Sequence, residues 1–201
     1  GTATFQVGSE VGDTIELDLS ASARISDLGQ IATTTGTAVD ANAATADGDV
    51  TINNVEVLGS GDFAGSETGQ EGGSAFAKAA AINASGIAGV SAEASTTVTA
   101  DNASAGIALD NDGETYTLEI NGVTILTATG TGGNNNVEVS QADLVDQINE
   151  ASANTGVTAS INDSNEIELF AEDGRNITAT SNGGTAAGGD VTAAFDVAAA
   201  T

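Results

Sequence analysis

The chain has 201 residues and a formal net charge of −26, from 29 Asp and Glu residues against three basic residues. Nucleic acids and anionic lipids are bound through basic residues that neutralise phosphate, so this charge argues against both as partners. Cysteine and histidine are absent, which excludes disulfides, thiolate nucleophiles, serine triads and the zinc sites that these residues form.

The N-terminal region is predicted to form a strand pair. Thr4 to Val7 and Thr14 to Leu19 alternate apolar and polar residues on either side of a turn at Gly8 to Asp13, as in a hairpin with one exposed face. Ala32 to Ala46 is rich in Thr and Ala without a clear period, which favours a loop. Residues 1–46 are therefore interpreted as a hairpin followed by a connector.

An internal repeat follows this region. Asp49 to Val57 (DVTINNVEV) resembles Thr117 to Ile125 (TLEINGVTI), which lies 68 positions later. Two further pairs of segments match at offsets of 66 and 67, namely Ser74 to Asn83 with Ser140 to Asn149, and Gly89 to Ala92 with Gly156 to Ala159. Three elements in the same order indicate a duplicated unit. We call residues 49–92 the first copy and residues 117–159 the second copy.

Each copy is predicted to begin with a hairpin. In the second copy the pair Asn121-Gly122 favours a type I′ turn. In the first copy Asn53-Asn54 takes this place, and asparagine also tolerates the positive φ that the turn needs. The apolar residues of each hairpin are expected to share one face: Leu118, Ile120, Val123 and Ile125 in the second copy, and Val50, Ile52, Val55 and Val57 in the first.

A short helix is predicted after each hairpin. Ser140 with Asp143 three residues later resembles a capping box, and Leu144 and Ile148 lie on one stripe at helical spacing. Ser74 takes the place of Ser140 in the first copy. Lys78 stands there at the position of Leu144, however, and alanines supply most of the stripe. The first helix is therefore expected to pack more closely and bury less area.

Strands are predicted after the helices. Gly89 to Ala92 in the first copy and Val157 to Ile161 in the second are assigned as strands, and Ile167 and Leu169 alternate in a further strand after a turn at 162–165. Asp173-Gly174 is a turn, Gly183 to Gly189 is a Gly-rich linker, and Thr192 to Val197 begins a further element.

These elements predict an α+β fold, predominantly antiparallel β, with two similar hairpin-plus-helix modules after the N-terminal strand pair. The chain has few aromatic residues and much alanine, so each module has a thin core and an elongated, end-to-end arrangement is expected. The predicted domains are 1–46, a hairpin and connector; 47–112, the first module; 113–182, the second module; and 183–201, a linker with the start of a further element.

Acidic residues provide the candidates for a metal site. Asp110 to Gly113 and Glu119 fit part of a calcium-binding loop. The first ligand position is Ala108, however, and Thr115 to Ile120 has a strand pattern where the loop's exiting helix should begin. A solvated acidic turn is favoured over a calcium site.

Other polar residues also have two interpretations. Glu166 with Glu168, or Asp143 with Asp146, are close enough in sequence for a pair of glycosidase carboxylates, but a solvated polar face is favoured. Four asparagines lie in Asn-x-Ser/Thr sequons, although strands and turns use the same residues: Asn83, Asn102, Asn162 and Asn176. No catalytic, cofactor-binding or metal-binding residue is assigned, and no cofactor is expected.

The second copy resembles a known family. Ile120 to Val123, Ile148-Asn149 and Thr155 to Ala159 are similar to the short repeat of bacterial flagellins and related axial proteins. The segments Glu172 to Ile177 (EDGRNI) and Thr4 to Gly8 (TFQVG) also resemble flagellin. The resemblance implies the outer, variable region of flagellin, in which the matching motif is structural.

The function that this resemblance implies is structural: a solvent-exposed outer domain of a flagellin subunit in the extracellular filament used for motility, without catalysis. Its partners are other flagellin subunits, and the isolated chain, which looks like a fragment without the terminal helices, is expected to be monomeric. An acidic, salt-screened extracellular setting fits the charge. Two alternatives stay open: another axial flagellar protein, such as the filament cap or a hook-junction protein, or an adhesive or carbohydrate-binding module.

Overall fold

The computed structural model describes residues 2–6, 14–18, 34, 43–101, 107–109, 113, 115–130, 137–183 and 196–197. The chain forms two compact units, residues 1–37 and residues 38–201. In the first unit, β1 (Thr2–Gln6) and β2 (Thr14–Asp18) pair antiparallel, with Phe5 opposite Ile15. The predicted strand pair is confirmed, and its turn lies outside the described residues.

The first copy contains a short hairpin and a helix. Strands β3 (Thr51–Ile52) and β4 (Val55–Glu56) flank Asn53 and Asn54, whose φ angles are 51° and 64°. A 3-10 turn follows at Ser60–Phe63, and then α1 (Ala75–Ala84). The Ser74 hydroxyl accepts a hydrogen bond from the Ala77 N–H and caps the helix, as predicted.

The core of the first copy is small. It consists of Val57, Ala81 and Ile87, with Ile52, Phe63, Ile82 and Val90 partly buried against it. The helix buries only Ala77 and Ala81, which confirms its expected small contribution. Val50 and Val55 are 41% and 43% exposed, whereas Val57 is buried, so the four apolar residues expected to share one face differ in burial. Each strand has only two residues, which is too short for regular alternation to place them in the core.

The strand predicted at Gly89 to Ala92 is not formed. Gly89 has a φ of 75° within a turn, a conformation that interrupts extended backbone. The first strand after α1 is instead β5 (Thr96–Asp101). It is followed by β6 (Ile107–Leu109).

The second copy begins with the predicted hairpin. Strands β7 (Thr115–Ile120) and β8 (Val123–Thr129) flank Asn121 and Gly122, with φ angles of 49° and 76° that fit the type I′ turn. The register shifts between Leu118 and Glu119. This bulge places Leu126, rather than Ile125, opposite Leu118. Ile125 is still partly buried against the core, as expected, and Leu126 packs there beside it.

The remaining elements include the strands that complete three sheets. They are β9 (Val137–Val139), α2 (Gln141–Glu150), α3 (Ser152–Thr155), β10 (Thr158–Ile161), β11 (Ile167–Ala171), β12 (Ala179–Gly183) and β13 (Asp196–Val197). One sheet has the order β10-β11-β5-β13 and another the order β12-β7-β8, while β6 pairs with β9. All these pairs are antiparallel, which confirms the α+β, mainly antiparallel fold.

The larger core lies between these sheets and α2. Its fully buried residues include Tyr116, Leu118, Ile120, Leu144, Ile148, Ile167 and Leu169. Val98 and Ala100 of β5 also belong to this core, because β5 pairs with β11. Residues 96–101 thus follow the first copy in sequence but pack with the second. The four-part domain division remains a prediction.

Candidate functional site at the junction of the two copies

The predicted carboxylate pairs serve local structure. The Asp143 carboxylate accepts hydrogen bonds from the Ser140 N–H at 3.3 Å and from its hydroxyl at 2.7 Å, which completes the capping box of α2. The Glu166 carboxylate accepts a hydrogen bond from the Asn162 side chain at 3.3 Å. Glu168 lies on the less buried face of β11, between the buried Ile167 and Leu169. One carboxylate of each pair therefore has a structural partner close in sequence.

The candidate calcium loop is described only at its ends. Ala108 lies in β6 and Glu119 in β7, while Asp110 to Asp112 lie outside the described residues. Thr115–Ile120 is a strand, so the helix that would leave such a loop is not formed. Among the residues that the structure describes, no three acidic side chains are grouped so that they could hold a metal ion.

The side chains of three of the four sequon asparagines are hydrogen-bonded within the chain. The Asn162 Oδ1 accepts from the N–H of Ser164 and of Glu166, both at 2.9 Å. The Asn176 side chain donates to the Glu71 carboxylate at 3.2 Å. Asn83 binds the backbone of Ala92. Asn102 lies outside the described residues.

The Asn83 contact recurs in the second copy as the same two-bond arrangement. Asn149 Nδ2 donates to the Ala159 carbonyl at 3.0 Å, and its Oδ1 accepts from the Ala159 N–H at 2.8 Å. Asn83 makes both bonds to Ala92 at 2.8 Å. An asparagine amide carries a donor and an acceptor side by side, so it can satisfy both backbone groups of one residue. We call this arrangement the asparagine clamp.

The clamp connects the end of each helix to the segment that follows. Asn149 lies one residue before the end of α2 and ties it to β10, an edge strand whose only strand partner in the described sheet is β11. The repeated Ile-Asn is visible in the sequence, but this role of the asparagine was not predicted from it. The pattern could have indicated it, because an asparagine repeated at a helix end is a poor helix former with strong backbone-binding capacity.

Asn121 makes a second connection of the same kind. It is only 3% exposed, its Nδ2 donates to the Thr155 carbonyl at 3.0 Å, and its Oδ1 accepts from the Thr178 N–H at 2.9 Å. The hairpin turn is thereby tied both to the end of α3 and to the backbone that leads into β12. A residue that the sequence assigns only to a turn thus also connects three segments.

The two copies meet at Asp173–Asn176, which we call the junction turn. The Arg175 guanidinium forms an ion pair with the Asp173 carboxylate, with an NH2–Oδ2 distance of 2.8 Å. Its NH1 also donates to the Thr155 carbonyl at 3.3 Å. Gln70 Nε2, from the first copy, donates to Asp173 Oδ2 at 2.9 Å. The Asp173 carboxylate therefore binds Gln70 of the first copy and Arg175, which in turn binds Thr155 of the second copy.

Three more hydrogen bonds join the first copy to the junction turn. The Asn176 N–H donates to the Gly69 carbonyl at 2.7 Å, and the Asn176 side chain donates to Glu71 at 3.2 Å. The Phe76 N–H donates to the Gly174 carbonyl at 2.9 Å. Because Phe76 lies in the first turn of α1, its N–H has no acceptor within the helix. The junction turn satisfies it.

Glycines make this close approach possible. Gly69, Gly156 and Gly174 have φ angles of 89°, 70° and 76°. A Cβ added at these positions would overlap the Asn176 carbonyl oxygen, the Arg175 guanidinium and the Ala94 side chain, respectively. Both the backbone conformation and the lack of a side chain are therefore required here.

The junction changes the acidity of Asp173. Partial burial raises its pKa, but hydrogen bonds from Arg175 and Gln70, together with the Arg175 charge, outweigh burial and hold the pKa of Asp173 below its ordinary value. The carboxylate is thus stabilised in its ionised form. Each of these junction groups binds another group of the same chain, so the arrangement acts as a structural connection.

The family comparison matches the part of the chain that carries the second clamp. Residues 117–173 match the family described as the flagellin hook IN motif. This segment is similar to that motif, and we refer to residues 117–173 below as the hook IN motif. It runs from β7 to the first residue of the junction turn and includes Ile148-Asn149. The match confirms the flagellin-type resemblance and supports a flagellin-type structural role. The comparison with curated proteins found no match.

The first copy lies outside the matched residues but shares geometry with the hook IN motif. Both helices have ten residues and a serine N-cap whose hydroxyl accepts from the third helical N–H. Both end in an asparagine clamp. The first copy therefore contains a capped helix and an asparagine clamp similar to those of the hook IN motif. None of the helices in the described ranges has the length and apolar character needed to cross a bilayer.

Proposed function

We propose that the chain is the solvent-exposed outer domain of a flagellin subunit, a structural part of the extracellular filament without catalysis of its own. The observation that carries this proposal is the hook IN motif at 117–173. Its characteristic Ile148 is fully buried and Asn149 clamps β10. These residues build the domain instead of lining a cleft, as expected of a structural motif.

The partners in this proposal are other flagellin subunits, because the family assembles into filaments. A net charge of −26 keeps neighbouring outer domains soluble and apart, since like charges repel. Extracellular salt screens the same repulsion within each domain. The charge thus fits a domain that projects into the medium.

A second candidate is a hook-junction or cap protein of the same axial structure. The description of the matched motif names the hook, which favours this candidate over an unrelated adhesin. The two candidates differ in where the protein lies along the filament. A flagellin occurs along its whole length, whereas a junction protein occurs at the base and a cap at the tip.

Immunogold electron microscopy distinguishes them. Antibodies raised against residues 43–183 would be applied to intact cells that produce the protein. We expect gold along the entire filament. Gold confined to the base or tip would support the second candidate, and filaments without gold would refute both. Serum preabsorbed with the purified chain is the control for specificity.

A further inference from the structure

An open groove of about 630 Å³ lies beside the junction turn. One wall is α1, with Phe76, Ala79 and Ala80, and the other includes Phe170 at the end of β11. The hydrogen bond from the Phe76 N–H to the Gly174 carbonyl holds these walls together. The groove is therefore a product of the junction between the two copies.

The second wall of the groove carries exposed aromatic surface. Phe170 is 39% exposed, although Leu169 and Ala171 on either side are fully buried. It projects from the outer face of the sheet and lies opposite Thr97 and Thr158 on the adjacent strands. An exposed phenylalanine on an otherwise polar face is the kind of side chain that a binding partner covers.

The rim of the groove is acidic. Glu93 and Glu172 line it and are both exposed. Within the described part of the chain, neither carboxylate accepts a hydrogen bond or forms an ion pair. Asp173, by contrast, is bound to Arg175 and Gln70. The groove thus places two carboxylates beside two phenylalanine rings.

We propose that this groove binds a basic segment of another polypeptide, one that presents Lys or Arg beside an apolar side chain. The aliphatic stem of such a residue packs on an aromatic ring while its cation contacts the ring face or a carboxylate. Binding also lowers the self-repulsion of a chain with a net charge of −26. Both the rings and the rim then contribute to recognition.

A second copy of this chain does not fit this description. It brings a further charge of −26 and only three basic residues. One of them, Arg175, is bound to Asp173 in the junction turn. The partner is therefore a different polypeptide of opposite charge.

The test measures binding of a fluorescein-labelled peptide of alternating Lys and Leu to the full chain by fluorescence anisotropy at 0.15 M salt. Phe170→Ser and the double variant Glu93→Gln/Glu172→Gln remove the two features of the groove. Ile161→Ser is the matched apolar control, since Ile161 is 44% exposed but lies on β10, outside the groove. Asp146→Asn/Glu150→Gln on α2 is the matched control for the charge change.

We expect each groove variant to weaken binding about five- to tenfold, in line with the loss of a cation–π contact or an ion pair, and each control to change it less than twofold. Equal losses in groove and control variants would mean diffuse attraction to the acidic surface and would overturn the proposal. Equal binding of a Gln-Leu peptide would also overturn it, as would a dimer that Phe170→Ser disrupts. The exposed Glu→Gln changes keep the test valid if Phe170→Ser does not fold.

Discussion

Substituting Asn149 by alanine tests whether the asparagine clamp stabilises the second copy. The change removes the two hydrogen bonds, of 3.0 and 2.8 Å, between the end of α2 and Ala159 of β10. Each bond contributes about 1 kcal/mol net, and a buried backbone group left without a partner costs about 1–3 kcal/mol more. Ala159 is only 9% exposed, so water replaces the lost partner poorly. We expect Asn149→Ala to lower the free energy of unfolding by about 2–4 kcal/mol.

The first copy provides a matched control. Asn83→Ala removes the same two bonds to Ala92, but these bonds are exposed. Water can take their place, so we expect a loss of at most about 1 kcal/mol. The comparison keeps the chemistry of the substitution and varies the burial.

Urea unfolding followed by circular dichroism measures both effects. The chain has one tyrosine and no tryptophan. Tyr116 is 1% exposed in the larger core, so its near-ultraviolet signal reports the second copy. Unchanged m-values would show that the midpoints reflect stability. The burial argument would be refuted if Asn149→Ala lowered the free energy of unfolding by less than about 0.5 kcal/mol. It would also be refuted if Asn83→Ala lowered it by as much as Asn149→Ala or more.

The remaining predictions concern the junction, the charge and association. Because its pKa is lowered in the folded chain, Asp173 contributes stability above its unfolded pKa of about 3.9 and loses it as pH falls through the folded pKa. The melting temperature of Asp173→Asn should therefore fall less steeply with decreasing pH than that of the unchanged chain. Equal slopes of melting temperature against pH would contradict this. Gly156→Ala should lower the free energy of unfolding in urea by clearly more than Gly86→Ala, since both glycines have positive φ but only at Gly156 would an added Cβ overlap Arg175. Equal losses would mean that strain in φ alone matters. Sodium chloride should raise the melting temperature smoothly as the Debye length falls from about 30 Å at 0.01 M to about 3 Å at 1 M, whereas a saturable rise at micromolar calcium, abolished by Asp112→Ala, would indicate a metal site. Sedimentation at moderate salt should show a monomer because the surface is strongly like-charged; a dimer that persists on dilution would argue for an interface in this domain.

Local sequence determined the turns and helix starts of this protein. Asn121-Gly122 and Asn53-Asn54 form the predicted positive-φ turns, and Ser74 and Ser140 cap the predicted helices. Each of these features depends on groups within a few residues of one another. The duplicated order of elements, and with it the resemblance that the hook IN motif confirmed, was also present in the sequence alone.

Tertiary structure decided which segments meet. The bulge beside Leu118 places Leu126 opposite Leu118, and Gly89 at positive φ interrupts a strand that the alignment with the second copy predicts. β5 pairs with β11, about 70 residues away in sequence. Residue pattern specifies which positions are apolar but leaves open the partner of a strand, because that choice depends on packing between distant segments.

The junction shows the same division most clearly. In the sequence, Glu172 to Ile177 shows a turn at Asp173-Gly174 and a resemblance to flagellin, whereas the structure places Asp173 between Arg175 and Gln70. Gln70 and Asp173 are 103 residues apart, and neither lies in a local pattern that names the other. The sequence therefore determined the two copies and their caps, while the long-range hydrogen bonds that join them, and the groove beside them, arose only when the chain folded.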